Sequence, residues 1–376
     1  MFDRAMTTFT RLIKSTPLLP YFVLFTFLCV STTTTSALSL KPIKRIMGNI
    51  TGKDRSHVLR VSDTDLKKDL SGKVYIVTGS NSGVGLETAK QLVKQNGHVV
   101  MACRRPNAAD EAAEAESFSE LPGTHESMKC DLGNLQSVRE FCTTFKNKHK
   151  RLDGLVCNAG MVNLNGAKTT TSDGFETTIG ISYIGHFLMT ELLLDVLKKT
   201  ADSRYVILSS VVHAGSEKNR YDLDLTDLNY EKRKFSNIQV YSEAKVACCL
   251  YAVELADRLK SFGVTTASVH PGWARSNFGG GGAWYRPLTL LMKVSYPFTY
   301  FMTDSSEESA QTSLHCMLND DVPKHSGAYF SQHSYLYSDK ECKKGGWPMK
   351  SPNPNARDLN KAKELVKVTR KIVGLE

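Results

Sequence analysis

A short apolar run, Val74–Val77, breaks at Thr78-Gly79, and the stretch from Gly83 to Gln95 then carries apolar residues at helical spacing. His98–Ala102 is the next strand-like run. Gly154–Cys157, Tyr205–Ser209 and Thr265–His270 follow, separated by helix-length segments. Strands that read as continuous apolar runs are covered on both faces. Their alternation with helices predicts an α/β fold, a doubly wound parallel sheet in a single domain. No internal repeat interrupts the pattern.

The first strand–helix turn carries the strongest ligand signal: Thr78-Gly79-Ser80-Asn81-Ser82-Gly83-Val84-Gly85. Gly79 permits a tight strand exit, Gly83 lets backbone approach a pyrophosphate, and Gly85 allows close helix–sheet packing. The opening helix directs unpaired N–H groups and its positive end at phosphates. Steric need alone explains glycine in a tight turn, but the position after the first strand of a βαβ series favours a dinucleotide. At the end of the second strand, Met101-Ala102-Cys103-Arg104-Arg105, no acid occurs until Asp110. An acid there would hold ribose hydroxyls, whereas two guanidinium groups suit a 2′-phosphate, so the expected cofactor is NADP(H).

Tyr241-Ser242-Glu243-Ala244-Lys245 is the second constellation. Positions i and i+4 share a helix face. A lysine ammonium near a tyrosine favours phenolate and predicts a phenol acidified toward working range, able to trade a proton with a carbonyl or alcohol oxygen. The same spacing is common as a plain surface pair. Ser209-Ser210 ends a strand upstream and offers a hydroxyl to the same substrate oxygen.

Composition narrows the partners. The 376 residues are 41% hydrophobic and 23% charged, enough to bury a large core. The net charge of +10 sits at the ends: residues 1–70 and 340–376 each carry an excess of +6, leaving −2 for the body. That distribution argues against nucleic acid. Nine cysteines without a repeated spacing predict neither a disulfide framework nor a metal site. Arg4, Arg11 and Lys14 precede an uncharged run from Pro17 to Val30 and a small polar stretch to Ala37. Residues 1–37 therefore read as a secretory-type signal peptide or a membrane anchor, with cleavage favoured because the run is short. Residues 38–70 are a basic linker or transit-like segment, 71–339 the catalytic body, and 340–376 a loop followed by a basic helix over Ala356–Val373 that docks on it. Such an N-terminus directs the chain to the endomembrane system or a plastid.

Taken together, Thr78–Gly85, Asn158-Ala159-Gly160, Ser210, Tyr241 with Lys245, and Pro271-Gly272 resemble the short-chain dehydrogenase/reductases over roughly residues 70–335. Ala102-Cys103-Arg104, Gly185-His186-Phe187, Asp227–Tyr230, His270-Pro271-Gly272 and Ala310–Cys316 are similar to the retinol-dehydrogenase-like branch. The resemblance implies a Rossmann-type sheet and a Ser-Tyr-Lys site. It implies that Gly79, Ser82, Gly83 and Gly85 hold the dinucleotide and that Arg104 meets its 2′-phosphate; Ser80, Asn81 and Val84 of the same turn, and the neighbouring Arg105, are further candidates. Asp131 and Leu132 then border the adenine, and Asn158, Ala159 and Gly160 line the cofactor. Tyr241 is the general acid/base, Ser210 orients the carbonyl, and Lys245 binds the nicotinamide ribose. Pro271, Gly272 and Ser276 face the carboxamide, with serine where the family usually has threonine.

One position departs from the family pattern: Ser182 stands where an asparagine usually shapes a water-linked proton relay to the lysine. After four glycines, 279–282, an aromatic-rich stretch from Ala283 to Met302 suits a cap over a lipophilic small-molecule substrate or a membrane interface. The leading expectation is an enzyme that interconverts a carbonyl and an alcohol on a bulky apolar molecule such as a retinoid, sterol or isoprenoid. Two alternatives remain open: a light-dependent protochlorophyllide reductase-like enzyme, against which Trp273 stands where that branch usually has cysteine, and a weakly catalytic NADPH sensor at an organelle membrane.

Overall fold

The computed structural model describes residues 58–163, 167–216, 218–274, 303–334 and 343–376. The N-terminal address, Ser276, the glycine run and the aromatic stretch lie outside the described residues. One sheet of eight strands organises the rest, in the order β3-β2-β1-β4-β5-β6-β7-β8. These are β1 Val74–Thr78, β2 His98–Cys103, β3 Thr124–Lys129, β4 Gly154–Cys157, β5 Arg204–Leu208, β6 Thr265–His270, β7 Tyr329–Ser331 and β8 Gly346–Met349. All neighbours pair parallel except β8, which runs antiparallel along β7. Pro348 is tolerated in β8 because an edge strand has a side on which no neighbour requires its N–H.

Period-two alternation sends side chains to two separate cores. Val74 and Ile76, Leu155 and Cys157, and Tyr205 and Ile207 enter one. Tyr75 and Val77, Val156, and Val206 and Leu208 enter the other. Against the first face pack α3 (Leu135–Lys148), α4 (Gly185–Lys199), α5 (Asn237–Leu259) and α7 (Leu359–Ile372). Against the second pack α1 (Gly83–Lys94), α2 (Pro106–Ala115) and α6 (Ser306–Leu318). With both faces covered, even a four-residue strand such as β4 is buried throughout. The expected doubly wound sheet is what forms.

α7 docks through Ala362, Leu365, Val366 and Thr369, and the Thr369 hydroxyl lies 3.0 Å from the Tyr183 hydroxyl. Just before α4, the turn Thr177–Ile179 runs into a π-helical segment, Gly180–Ile184. Glu176 caps that start, its carboxylate accepting from Thr178 and Ile179 N–H at 2.8 and 3.0 Å. Among the described residues, the combined stretch Thr177–Lys199 alone is long and apolar enough to cross a membrane, yet 78% of its apolar window is buried inside the body. Burial in the core accounts for its apolarity. The seven cysteines among the described residues are all free and buried, as a reduced protein requires.

Candidate functional site

The strand order reverses between β1 and β4, and at such a switch point the carboxyl ends of the strands splay into a crevice. β1 leaves the sheet there through Gly79 and Gly83, at φ +63° and +61°, a left-handed conformation that glycine adopts at little cost. Ser82 makes no capping side-chain hydrogen bond, so the first-turn N–H groups of α1 keep their polarity at the crevice. Ser80 turns inward and donates its hydroxyl to Val77 C=O at 3.0 Å. A Cβ on Gly85 would lie 2.4 Å from Asn158 Nδ2 and 2.6 Å from Gly79 O, so only glycine fits where the turn meets the loop after β4.

That loop, Asn158-Ala159-Gly160, is locked to the turn. Asn158 and Ala159 N–H both donate to Thr78 Oγ1 at 2.9 Å, and Asn158 Nδ2 donates to Thr78 C=O at 2.8 Å. Arg104 and Arg105 are exposed at the end of β2, with no ion-pair partner among the described residues. The bare turn, the uncapped helix start and two unpaired guanidinium groups fit a phosphorylated dinucleotide. Asp131 follows β3 and is half-buried, its carboxylate accepting from Gly133 N–H at 3.0 Å, with Leu132 buried beside it.

Tyr241 and Lys245 sit one turn apart on α5, as their spacing predicts. Lys245 Nζ lies 5.6 Å from the centre of the Tyr241 ring and donates to Leu208 C=O, at the end of β5, at 2.8 Å. Tyr241 is half-buried and shares a hydrogen bond with Ser210. Ser209 points elsewhere: its hydroxyl, 3% exposed as a residue, donates to Lys245 C=O at 2.9 Å. The structure thus separates the two neighbouring serines: Ser210 meets the phenol and Ser209 the backbone of the tyrosine's helix.

The electrostatics differ from the expected acidified phenol. Burial lifts Tyr241 above its ordinary value, and the Ser210 hydrogen bond pulls it only partly back. Burial also pushes the Lys245 ammonium down. The lysine sits over the ring rather than at the hydroxyl, so desolvation wins, and the phenol stands protonated.

His186 is a site neighbour whose role sequence spacing does not reveal. Fully buried, it places Nε2 2.9 Å from Thr78 Oγ1 and Nδ1 3.1 Å from Ser182 O. Since Ser182 O can only accept, Nδ1 carries the proton and Nε2 accepts from Thr78. Burial drops this imidazole to about 4, keeping it neutral. Ser182 itself lies in the π-helical segment, where its carbonyl also accepts from Cys248 Sγ at 3.5 Å. Its hydroxyl is buried without a hydrogen bond among the described residues. π-Turns of this kind recur at functional sites. After β6, Gly272 adopts φ +88°, and Asp304 braces the loop by accepting from Trp273 N–H at 3.2 Å.

Comparison with known proteins shows the family. The short chain dehydrogenase family model matches residues 73–220. The chain is 34% identical over 314 residues to retinol dehydrogenase 13 of Homo sapiens, spanning 82% of this chain and 87% of that protein. It is 36% identical over 306 residues to retinol dehydrogenase 12 of Homo sapiens, spanning 81% and 88%. Retinol dehydrogenase 11 of Homo sapiens is 37% identical over 265 residues, spanning 70% and 78%. Among solved structures, an uncharacterized protein from Mycobacterium Paratuberculosis superposes with a TM-score of 0.63 at 25% identity, covering 84% of this chain and 98% of that one. The Pseudomonas aeruginosa RhlG/NADP active-site complex shares the fold, with a TM-score of 0.56 at 18% identity, covering 71% and 97%.

Proposed function

Because the chain belongs to the short-chain dehydrogenase family and is an oxidoreductase, we propose that it interconverts a carbonyl and an alcohol on a bulky lipophilic substrate of retinoid type, using NADP(H). The observation that carries this reading is the Tyr241–Ser210 hydroxyl pair with Lys245 one turn away, at the same carboxyl edge of the sheet as the glycine-lined turn. The relatives named retinol dehydrogenases, at 34–37% identity, support the substrate class. Unpaired Arg104 and Arg105 support the 2′-phosphorylated cofactor over its unphosphorylated form.

Gly79, Ser80, Asn81, Ser82, Gly83, Val84 and Gly85 hold the dinucleotide through backbone, with Asp131, Leu132 and Asn158-Ala159-Gly160 along its length. Pro271 and Gly272 border its far end. Bound there, the cofactor supplies or accepts the hydride. Tyr241 gives its phenolic proton to the carbonyl oxygen in reduction, and Ser210 holds that oxygen in line by a hydrogen bond. A phenol kept protonated by burial is poised as the acid of the reductive direction. Lys245, anchored by Leu208 C=O, orients cofactor and tyrosine, and the Ser182 carbonyl takes the Cys248 thiol three residues further along the same helix.

Full-length protein mixed with a retinal-like aldehyde and NADPH should consume the cofactor's absorbance, faster than with NADH. Tyr241→Phe should lose about 10²- to 10⁴-fold in kcat with the fold intact. Unchanged turnover in that variant would refute the mechanism, and equal rates with NADH would refute the cofactor assignment.

A further inference from the structure

The opposite edge of the sheet gathers three metal-ligating side chains from three separate elements. His98 opens β2, Glu126 lies in β3, and His149 follows α3 directly. Their ligand atoms all fall within 4.8 Å of one another. His149 Nε2 stands 2.7 Å from Glu126 Oε1, and His98 Nε2 stands 3.6 Å from the same oxygen. The two imidazole rings face each other, 5.1 Å between centres at 36°.

Hydrogen bonding leaves one atom unexplained. Glu126 Oε2 takes Lys148 Nζ at 2.6 Å, and Oε1 takes His149. His98 Nδ1 is held by the Thr124 hydroxyl at 2.7 Å, which fixes the ring. Among the described residues, His98 Nε2 is then buried without a hydrogen-bond partner, 3.6 Å from the Glu126 Oε1 oxygen.

We infer that His98 Nε2, Glu126 Oε1 and His149 Nε2 form a binding site for a zinc-class divalent cation that braces the edge strand β3 to β2 and α3. Imidazole nitrogen with one carboxylate suits zinc, copper or nickel rather than magnesium or calcium. Tetrahedral zinc places adjacent ligand atoms about 3.3 Å apart, given bonds near 2.0 Å. The 3.6 Å pair is close to that spacing, the 2.7 Å pair reaches it by opening about half an ångström, and the two imidazole nitrogens, within 4.8 Å of each other, close by at most about 1.5 Å. Thr124 accepts the Nδ1 proton of His98, which turns the Nε2 lone pair toward the cation, the usual outer support for a ligating histidine. Lys148 stays on the oxygen that does not coordinate. Side-chain exposures of 27%, 24% and 16% for His98, Glu126 and His149 place the cluster near the surface.

The site is remote from the chemistry. His98 pairs with Val74 at the amino end of β1, whereas the glycine turn follows its carboxyl end. The role is structural, and the test does not depend on turnover. Metal-free full-length protein titrated with Co²⁺ should bind one equivalent and develop visible d–d bands. It should lack the thiolate charge-transfer band that cysteine ligands produce, and Zn²⁺ should displace the Co²⁺. His149→Ala and Glu126→Gln should each weaken binding more than about 100-fold, and Thr124→Val about 10-fold through its outer support alone. Zn²⁺ should raise the melting temperature of the parent and not of His149→Ala. Absence of saturable binding, a thiolate band, or parent-like affinity in the variants would overturn the site. The parent's Co²⁺ spectrum decides the ligand class even if a variant fails to fold.

Discussion

At the amino ends of the strands, polar groups are matched. Asp153 takes two nitrogens of Arg151 at 2.7 and 2.8 Å and the N–H of Val74 at 2.9 Å, while Arg204 donates to Cys316 and Asn319 carbonyls. Around the carboxyl ends the reverse holds. Among the described residues, the Ser182 hydroxyl and both ring nitrogens of His270 are buried without hydrogen bonds, and Lys245 Nζ donates to one carbonyl. One edge of the sheet supplies stability, and the other carries the desolvation cost of groups kept ready for chemistry. Near the amino edge, His98 Nε2 and the Tyr205 hydroxyl are buried without a hydrogen bond among the described residues, and only His98 stands beside further metal-ligating groups.

Acidification should expose the contrast most strongly. Burial holds His186 and His213 at about 4 and His270 at about 3, below the ordinary histidine value. Between those values and about 6.5 the unfolded chain binds more protons, so stability is full above that range and lost as pH falls through it. The melting temperature should fall steeply from about pH 7 to pH 5. A flat profile would break the comparison.

Gly85→Ala comes next. Its Cβ meets backbone as well as the Asn158 amide, and the neighbours cannot yield cheaply. We expect a loss of about 3 kcal/mol or more in denaturant unfolding, with NADPH binding weakened in parallel. Asp153→Ala should cost about 2 kcal/mol, chiefly by stranding the buried Val74 N–H, since Arg151 is half exposed. Urea unfolding measures it, and the cofactor's affinity should not move. Ser182→Ala is the smallest: it deletes a hydroxyl that has no partner, so the melting temperature should stay level or rise, within about 1 kcal/mol. A larger loss would show that the hydroxyl contributes to stability after all.

Much of this fold is legible in the sequence, and the gaps have physical reasons. β1, β2, β4, β5 and β6 announce themselves as apolar runs because both faces are buried, and each lies within a residue or so of its expected span. β3, Thr-His-Glu-Ser-Met-Lys, carries almost no such signal: as the sheet's outer strand it is held by pairing to β2 rather than by burial. β8 lies in a stretch whose glycines and prolines read as loop, and only its partner β7 makes it a strand. In the site, the convergence of Tyr241 and Lys245 follows from helical spacing, whereas the protonated phenol does not, because burial depends on the whole fold. The π-turn at Ser182 has no periodic signature. The thread from Thr78 through His186 to Ser182 joins positions about a hundred residues apart.

The lock between Thr78 and Asn158-Ala159 makes the glycine turn a property of two distant segments. Transplanting the eight-residue loop into another scaffold would therefore carry over its letters without its shape. A graft needs the loop following β4 as well, set in register with β1. The same reasoning warns anyone dividing this chain into fragments: a piece ending before Gly154 would hold every glycine of the motif and none of the clasp that shapes it.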